Sequence, residues 1–312
     1  MSSSIKRRQT AGIALEETAG TPVAPTHYFE FLECDLAEKM GIIGDTQARG
    51  SRYAEGPAPV EGKKSGEGKI EICVDPIIFP YFAALALGSV SSEVSGDDYK
   101  HTSVLSGGND PLSATIWRGR VVDDRQFANA VVNTMEISFA DDVVKATIDL
   151  LSKYPTTQTR TPTKTDLKIY TFKNASLKID NDTFKVQEFS LKVENNVEAK
   201  YAPGSNDVDR FIAKESKVSG SFKLLFETTD QRTVFEGLTK QAMVLTLTGD
   251  DGDSITITIP RLRIENWTED GGLGDATMEA IEFTAEESDE SGEENVITIE
   301  TVNSVAEYLA EA

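Results

Sequence analysis

A chain of 312 residues with a formal net charge of -21 can bury one large or two medium cores. Its excess of acid argues against gripping duplex DNA through displaced counterions, and against docking on anionic membranes. No apolar run is long enough to span a bilayer, and Cys34 and Cys73 share no motif spacing, so neither a membrane helix nor a disulfide framework is expected.

Residues 1–26 read as an N-terminal arm. Lys6, Arg7 and Arg8 are its basic cluster, no apolar secretory segment follows them, and Gly20, Pro22 and Pro25 discourage a helix. Residues 28–36 (YFEFLECDL) are a strand candidate. Residues 41–63 are rich in Gly and Pro without clear periodicity, and a loop that long is usually functional or disordered. A strand over 66–74 has Ile70, Ile72 and Val74 on one face. Asp75 then offers an N-cap, Pro76 a first helical position and Gly88 a C-cap, which predicts a short buried helix over IIFPYFAALAL. Further strands are expected near 98–105, 112–120, 127–139 and 143–151, the last two as a hairpin. Residues 156–165 read as a Pro/Thr-rich linker.

The second half opens on residues 167–195, two alternating strands around the turn Asp180-Asn181-Asp182. The apolar parity flips between Val186 and Phe189, which predicts a β-bulge near Gln187-Glu188. An irregular stretch follows at 196–214, then a strand from Gly220 to Phe226 and a short helix from Asp230. The segments 244–248 and 254–264 pair around an Asp/Gly turn, and 278–285 and 296–301 flank the acidic loop EESDESGEEN. A short terminal helix is expected over 302–312. Element order repeats between the halves, with Ser65-Gly66 and Lys69 matching Ser219-Gly220 and Lys223 at constant offset, so an internal duplication is expected. The domain reading is an arm (1–26), a first β domain (27–155), a linker (156–165) and a second β domain (166–312), each domain with one short flanking helix.

No HExxH, GxSxG, Walker A or GxGxxG sequence is present, and His27 and His101 are the only histidines. Asp250, Asp251 and Asp253 crowd one turn but lack the later bidentate Glu of an EF-hand. The expectation is a non-enzymatic protein without cofactor, metal or catalytic residues.

GIALEETAGTPVAPTHYFEF, FANAVVNTMEISFADDVVKATIDLLSK, SLKIDNDTFKVQEFSLKVENNVEA, KVSGSFKLLFETTDQRTVFEGL and ITITIPRLRIENW together resemble the major tail tube proteins of long-tailed, siphovirus-like bacteriophages. The resemblance covers nearly the whole chain. It implies a mainly β protein of two tandem sandwich or curled-sheet domains. Such proteins form rings by continuing one sheet from subunit to subunit, and the rings stack into a hollow tube. It also implies a virion location after assembly in the host cytoplasm. The implied partners are copies of the chain itself, the tail terminator, tape measure and tail tip proteins, and DNA passing through without specific binding; no membrane is involved. A duplicated chain would need three copies per pseudo-six-fold ring, with six single-domain copies as the alternative. A lumen of net negative charge would let DNA slide during ejection. Glu136, Asp149, Glu188 and Glu194 are the candidate lumen residues. Tyr53 and Tyr201, in the two long loops, are the candidate ring-stacking anchors. A β-sandwich binding module, such as a capsid decoration protein or a surface adhesin, is the competing reading.

Overall fold

The computed structural model describes residues 6–44, 52, 59–120, 122–140, 143–163, 165–249, 251–271, 276–287 and 295–309. After a 3₁₀ turn at Lys6–Arg8, the first half supplies β1 (Thr10–Leu15), β2 (His27–Phe29), β3 (Glu33–Cys34), β4 (Ala37–Ile43), β5 (Val60–Cys73), α1 (Phe79–Leu87), β6 (Ser91–Ser95), β7 (Asp98–Val104), β8 (Ala114–Gly119), β9 (Arg125–Phe139), β10 (Lys145–Ser152) and β11 (Thr156–Thr157). The second half supplies β12 (Ala175–Ile179), β13 (Asp182–Phe184), β14 (Val186–Glu194), β15 (Glu198–Lys200), β16 (Arg210–Ile212), β17 (Lys217–Leu225), α2 (Asp230–Glu236), β18 (Gln241–Thr248), β19 (Ser254–Asp270), β20 (Met278–Ala285) and β21 (Thr298–Asn303). The protein is mainly β, as the alternating sequence pattern requires, and every ladder between these strands is antiparallel.

One layer runs β4–β5–β10–β9–β14–β17–β20–β19, each strand hydrogen-bonded to the next. The second layer is made where the two longest members continue past their bulges. The start of β9 pairs with β8 and β11, and β8 with β1, while the start of β19 pairs with β18 and β21. Register shifts at Asp149/Leu150 opposite β9 and at Ile264/Asn266 on β19 mark the two places. An extra residue in one strand bends it and raises local twist, which lets a single strand serve both layers. The core between them is one contiguous cluster. It includes Ile70, Phe82, Ile137 and Ile148 from the first half and Leu191, Phe222, Leu245 and Ile281 from the second.

The predicted bulge is present, with the β14–β17 register shifting between Val186 and Glu188. The helix predicted after Asp75 forms one turn later than expected. The Asp75 carboxylate accepts from the amides of Ile77 and Ile78 at 2.9 and 2.8 Å, holding 76–78 as a turn before α1 starts at Phe79. Gly88 closes α1 in the left-handed region at φ 80°, its N–H donating to Ala84 at 2.8 Å. Gly220 lacks a side chain for a different reason: a Cβ there would lie 2.4 Å from the Ser190 carbonyl and 2.5 Å from the Phe283 ring.

Five sequence expectations are corrected. The loop read over 41–63 is shorter, because 41–43 end β4 and 60–63 begin β5, paired with each other. Residues 10–15, read as part of an arm, form β1, a buried strand between β2 and β8. Glu16, just beyond it, is buried and accepts from Gly20, Ser113, Thr115 and Asn129, which ties the segment into the first half. Residues 167–169 are not a strand; the first strand of that stretch begins at Ala175. The linker carries the short β11 against β9. Finally, 304–309 is not helical, because Tyr308 is drawn into the core: its hydroxyl donates to the Ile77 carbonyl at 2.8 Å and accepts from Asn303 Nδ2 at 2.8 Å. Residues 310–312 lie outside the described residues.

Candidate assembly surfaces

The feature with most bearing on assembly is the middle of the eight-strand layer, where β9 meets β14. Six residue pairs join them, from Phe139↔Phe189 to Thr134↔Glu194. Ile137, Leu191, Met135 and Val193 face the core from this ladder, and Phe139 stacks on Phe189 with ring centroids 5.4 Å apart. Here the last strand of one four-strand set (β4, β5, β10, β9) pairs with the first strand of another (β14, β17, β20, β19).

The two ends of this layer lack such a partner. β4 pairs with β5 on one side only, and β19 beyond Ile264 pairs with β20 only, among the described residues. Exposed apolar side chains gather at the β4 end: Met40, Ile42 and Ile43 on β4, with Val60 opposite on β5. An open strand edge with exposed apolar side chains is a template for pairing with another chain.

Of the sequence-named residues, Glu136, Asp149, Glu188 and Glu194 lie on one face, with Glu188 and Glu194 at opposite ends of β14. All four project from the layer's solvent face, alternating with the core-facing residues of β9, β10 and β14. Glu136 accepts from Ser190 Oγ at 2.9 Å, and Asp149 from Thr134 Oγ1 at 2.6 Å. Glu194 pairs with Lys192 at 2.5 Å and Glu188 with Lys223 at 3.0 Å. Lys223 also reaches Asp270 at 3.3 Å, and these two carboxylates raise its pKa. Lys145 lies 3.7 Å from Glu71 on the same face. The face is therefore a mosaic in which Lys145, Lys192 and Lys223 are answered by carboxylates, the first and last of them across neighbouring strands, which strand alternation alone does not reveal.

Tyr201 lies half-buried on the surface of the first half. It packs with Val131, Val208 and Phe211, and the Lys63 ammonium sits 4.5 Å from its ring centroid. Its loop is fastened there by the β15–β16 hairpin, by the Lys64 amide donating to Asn206 and by Asn195 Nδ2 donating to Ala86. Tyr53 lies outside the described residues, as does Asp250 of the acidic turn. Lys168 bridges Asp251 and Asp253 of that turn at 3.0 and 2.7 Å, and among the described residues no cluster of three metal-ligating side chains occurs.

A family model described as phage tail tube protein matches residues 6–300. The chain belongs to the phage tail tube protein family. No individually curated protein matches it. Membership makes it a structural component of a virion tail that self-assembles into a tube with other tail proteins, and speaks for a non-enzymatic role. No helix among the described residues is long and apolar enough to cross a membrane.

Proposed function

We propose that three copies of this chain close into a ring by repeating between chains the junction that β9 and β14 make within one. The open edge of β4 then pairs with the open distal edge of β19 of the next copy. The observation that carries this is the β9–β14 ladder, flanked by a free strand edge at each end of one layer. The two four-strand sets each place a helix after their second strand, α1 after β5 and α2 after β17, which supports reading the chain as two tube-type domains. Three copies of eight strands give a closed barrel, the arrangement that leaves no edge exposed.

In this reading the face bearing Glu136, Asp149, Glu188 and Glu194 lines the bore. Because Lys145, Lys192 and Lys223 there are paired with acids, DNA phosphates find fewer free cations, release fewer counterions and slide during ejection. Rings stack through the β4–β5 hairpin and its loop, where Tyr53 lies, while Tyr201 holds the second long loop in place. Tail terminator, tape measure and tail tip proteins meet the ends and interior of the tube, and assembly takes place in the host cytoplasm.

Cysteines at Lys39 on β4 and Thr268 on β19, in a Cys73→Ser background, test the ring. A short thiol cross-linker applied to assembled protein should give a covalent ladder ending at three chains. A ladder ending at six, or no cross-link in assembled material, overturns the trimeric edge pairing.

A further inference from the structure

The two halves are joined by a second ladder, far from the first. β7, in the connection between α1 and β8, pairs with β21 over six residues, from Val104↔Thr298 to Tyr99↔Asn303. Hairpin β6–β7 thus reaches from the first half and adds to the outer layer of the second. Its fixings are specific. Lys100 pairs with Glu93 at 2.7 Å and with Glu300 at 3.2 Å. His101 is buried, with Nε2 facing the Val305 carbonyl at 2.8 Å and Asn303 Oδ1 at 3.1 Å; Nε2 therefore carries the proton and Nδ1 accepts from Ser92 Oγ at 2.8 Å. The Tyr308 ring packs edge-on against both His101 and Tyr81 of α1, each at 4.6 Å between centroids. Asn303 Nδ2 donates to the Pro76 carbonyl at 2.6 Å.

Among the described residues the second half returns no strand hairpin of this kind; what it lays on the first half is the 196–214 loop, through Tyr201 and Asn206. The connection from α2 to β18 is residues 237–240, too short for a hairpin. On β9, the position that β21 holds on β19 is taken by β11, only two residues long and, among the described residues, without a second partner strand.

We infer that the seams of the ring alternate in kind. This rests on the ring reading above. The seam inside each chain is held by an inner ladder, by the 196–214 loop packed on the first half and by the β6–β7 strap; the seam between chains lacks the strap. Each chain enters the ring as a pre-closed pair of domains, and a strained ring opens at the three interchain seams.

The test begins with the isolated chain. A site-specific protease sequence between Thr161 and Asp166 allows the two halves to be nicked apart. Nicked protein should stay a single species in native mass spectrometry at low micromolar concentration. A nicked variant with residues 91–104 replaced by a short Gly/Ser linker should separate at least tenfold more readily. Equal retention in both, or separation of the nicked chain with its strap intact, overturns the inference. Hydrogen exchange on unmodified tubes gives a reading that survives misfolding of the strapless variant. Amides of 37–43 and 264–270 should lose protection at lower denaturant than those of 134–139 and 189–194; simultaneous loss overturns it. The nicking result judges the strap whether or not rings form, so failure of the ring reading is seen separately, as absence of rings.

Discussion

The two helices occupy the same place in the strand order and live in different environments. α1 follows β5, and all nine of its residues are buried. α2 follows β17, and only Gln231 of its seven residues is buried. Sequence explains part of this, since FPYFAALAL has no polar face and DQRTVFE has little else. The surroundings explain the rest. α1 packs against β7, β9 and β1, and the C-terminal segment lies across its start. Among the described residues α2 has no such cover; its neighbour is β19, over whose Trp267 ring Arg232 of α2 sits 5.6 Å from the centroid. The helix in one half is core, and its counterpart is a surface element beside an open strand edge.

The largest break of that comparison is Phe82→Ala in α1, which should cost about 3–5 kcal/mol in denaturant unfolding. Phe235→Ala in α2, half-buried, should cost about 1 kcal/mol or less. Comparable losses would mean the helices share one environment after all.

Next comes the turn before α1. Burial raises the Asp75 carboxyl to about 6 from an ordinary 3.8, against two amide hydrogen bonds that lower it. The native state thus holds its proton more tightly than the unfolded chain, so Asp75 makes stability fall as pH rises from about 4 to about 6, and the penalty is complete above that. Asp75→Asn keeps an acceptor for Ile77 and Ile78 and removes the buried charge. It should stabilise by about 1–3 kcal/mol at pH 7 and by nothing near pH 3. Equal stabilisation at both pH values in urea melts would contradict the assignment.

His101 works in the opposite sense. Burial lowers its pKa, so its protonation opposes folding as pH falls below the unfolded value of 6.5. His101→Gln should flatten that acid-side loss, read by thermal melts between pH 7 and 5. The smallest effect is expected on the exposed face of the eight-strand layer. Lys223→Ala releases Glu188 and Asp270 and should leave the denaturant midpoint almost unchanged.

Local chemistry was legible. The parity flip at 186–189 located a bulge, Asp75 and Gly88 bracketed a helix, and strict alternation placed four acids on one face. What failed was set by distant partners. β1 lies beside Gly and Pro, and is a strand because β8, about a hundred residues on, pairs with it. The β7–β21 ladder joins residues about two hundred apart, and 304–309 stays out of a helix because Tyr308 finds acceptors next to α1. The Lys223–Glu188 and Lys145–Glu71 ion pairs depend on which strands are neighbours, which periodicity does not give. Tyr201 was read as a ring-stacking residue from its place in a long loop; that it packs within the chain beside Val131 and Phe211 depends on a fold contact periodicity does not give.

The most direct measurement is electron microscopy of concentrated purified protein, with ring symmetry taken from end-on class averages. Hollow rings or tubes with three two-lobed subunits per ring are predicted. Rings of six separate chains would contradict the claim that the junction inside this chain is the template for the junction between chains.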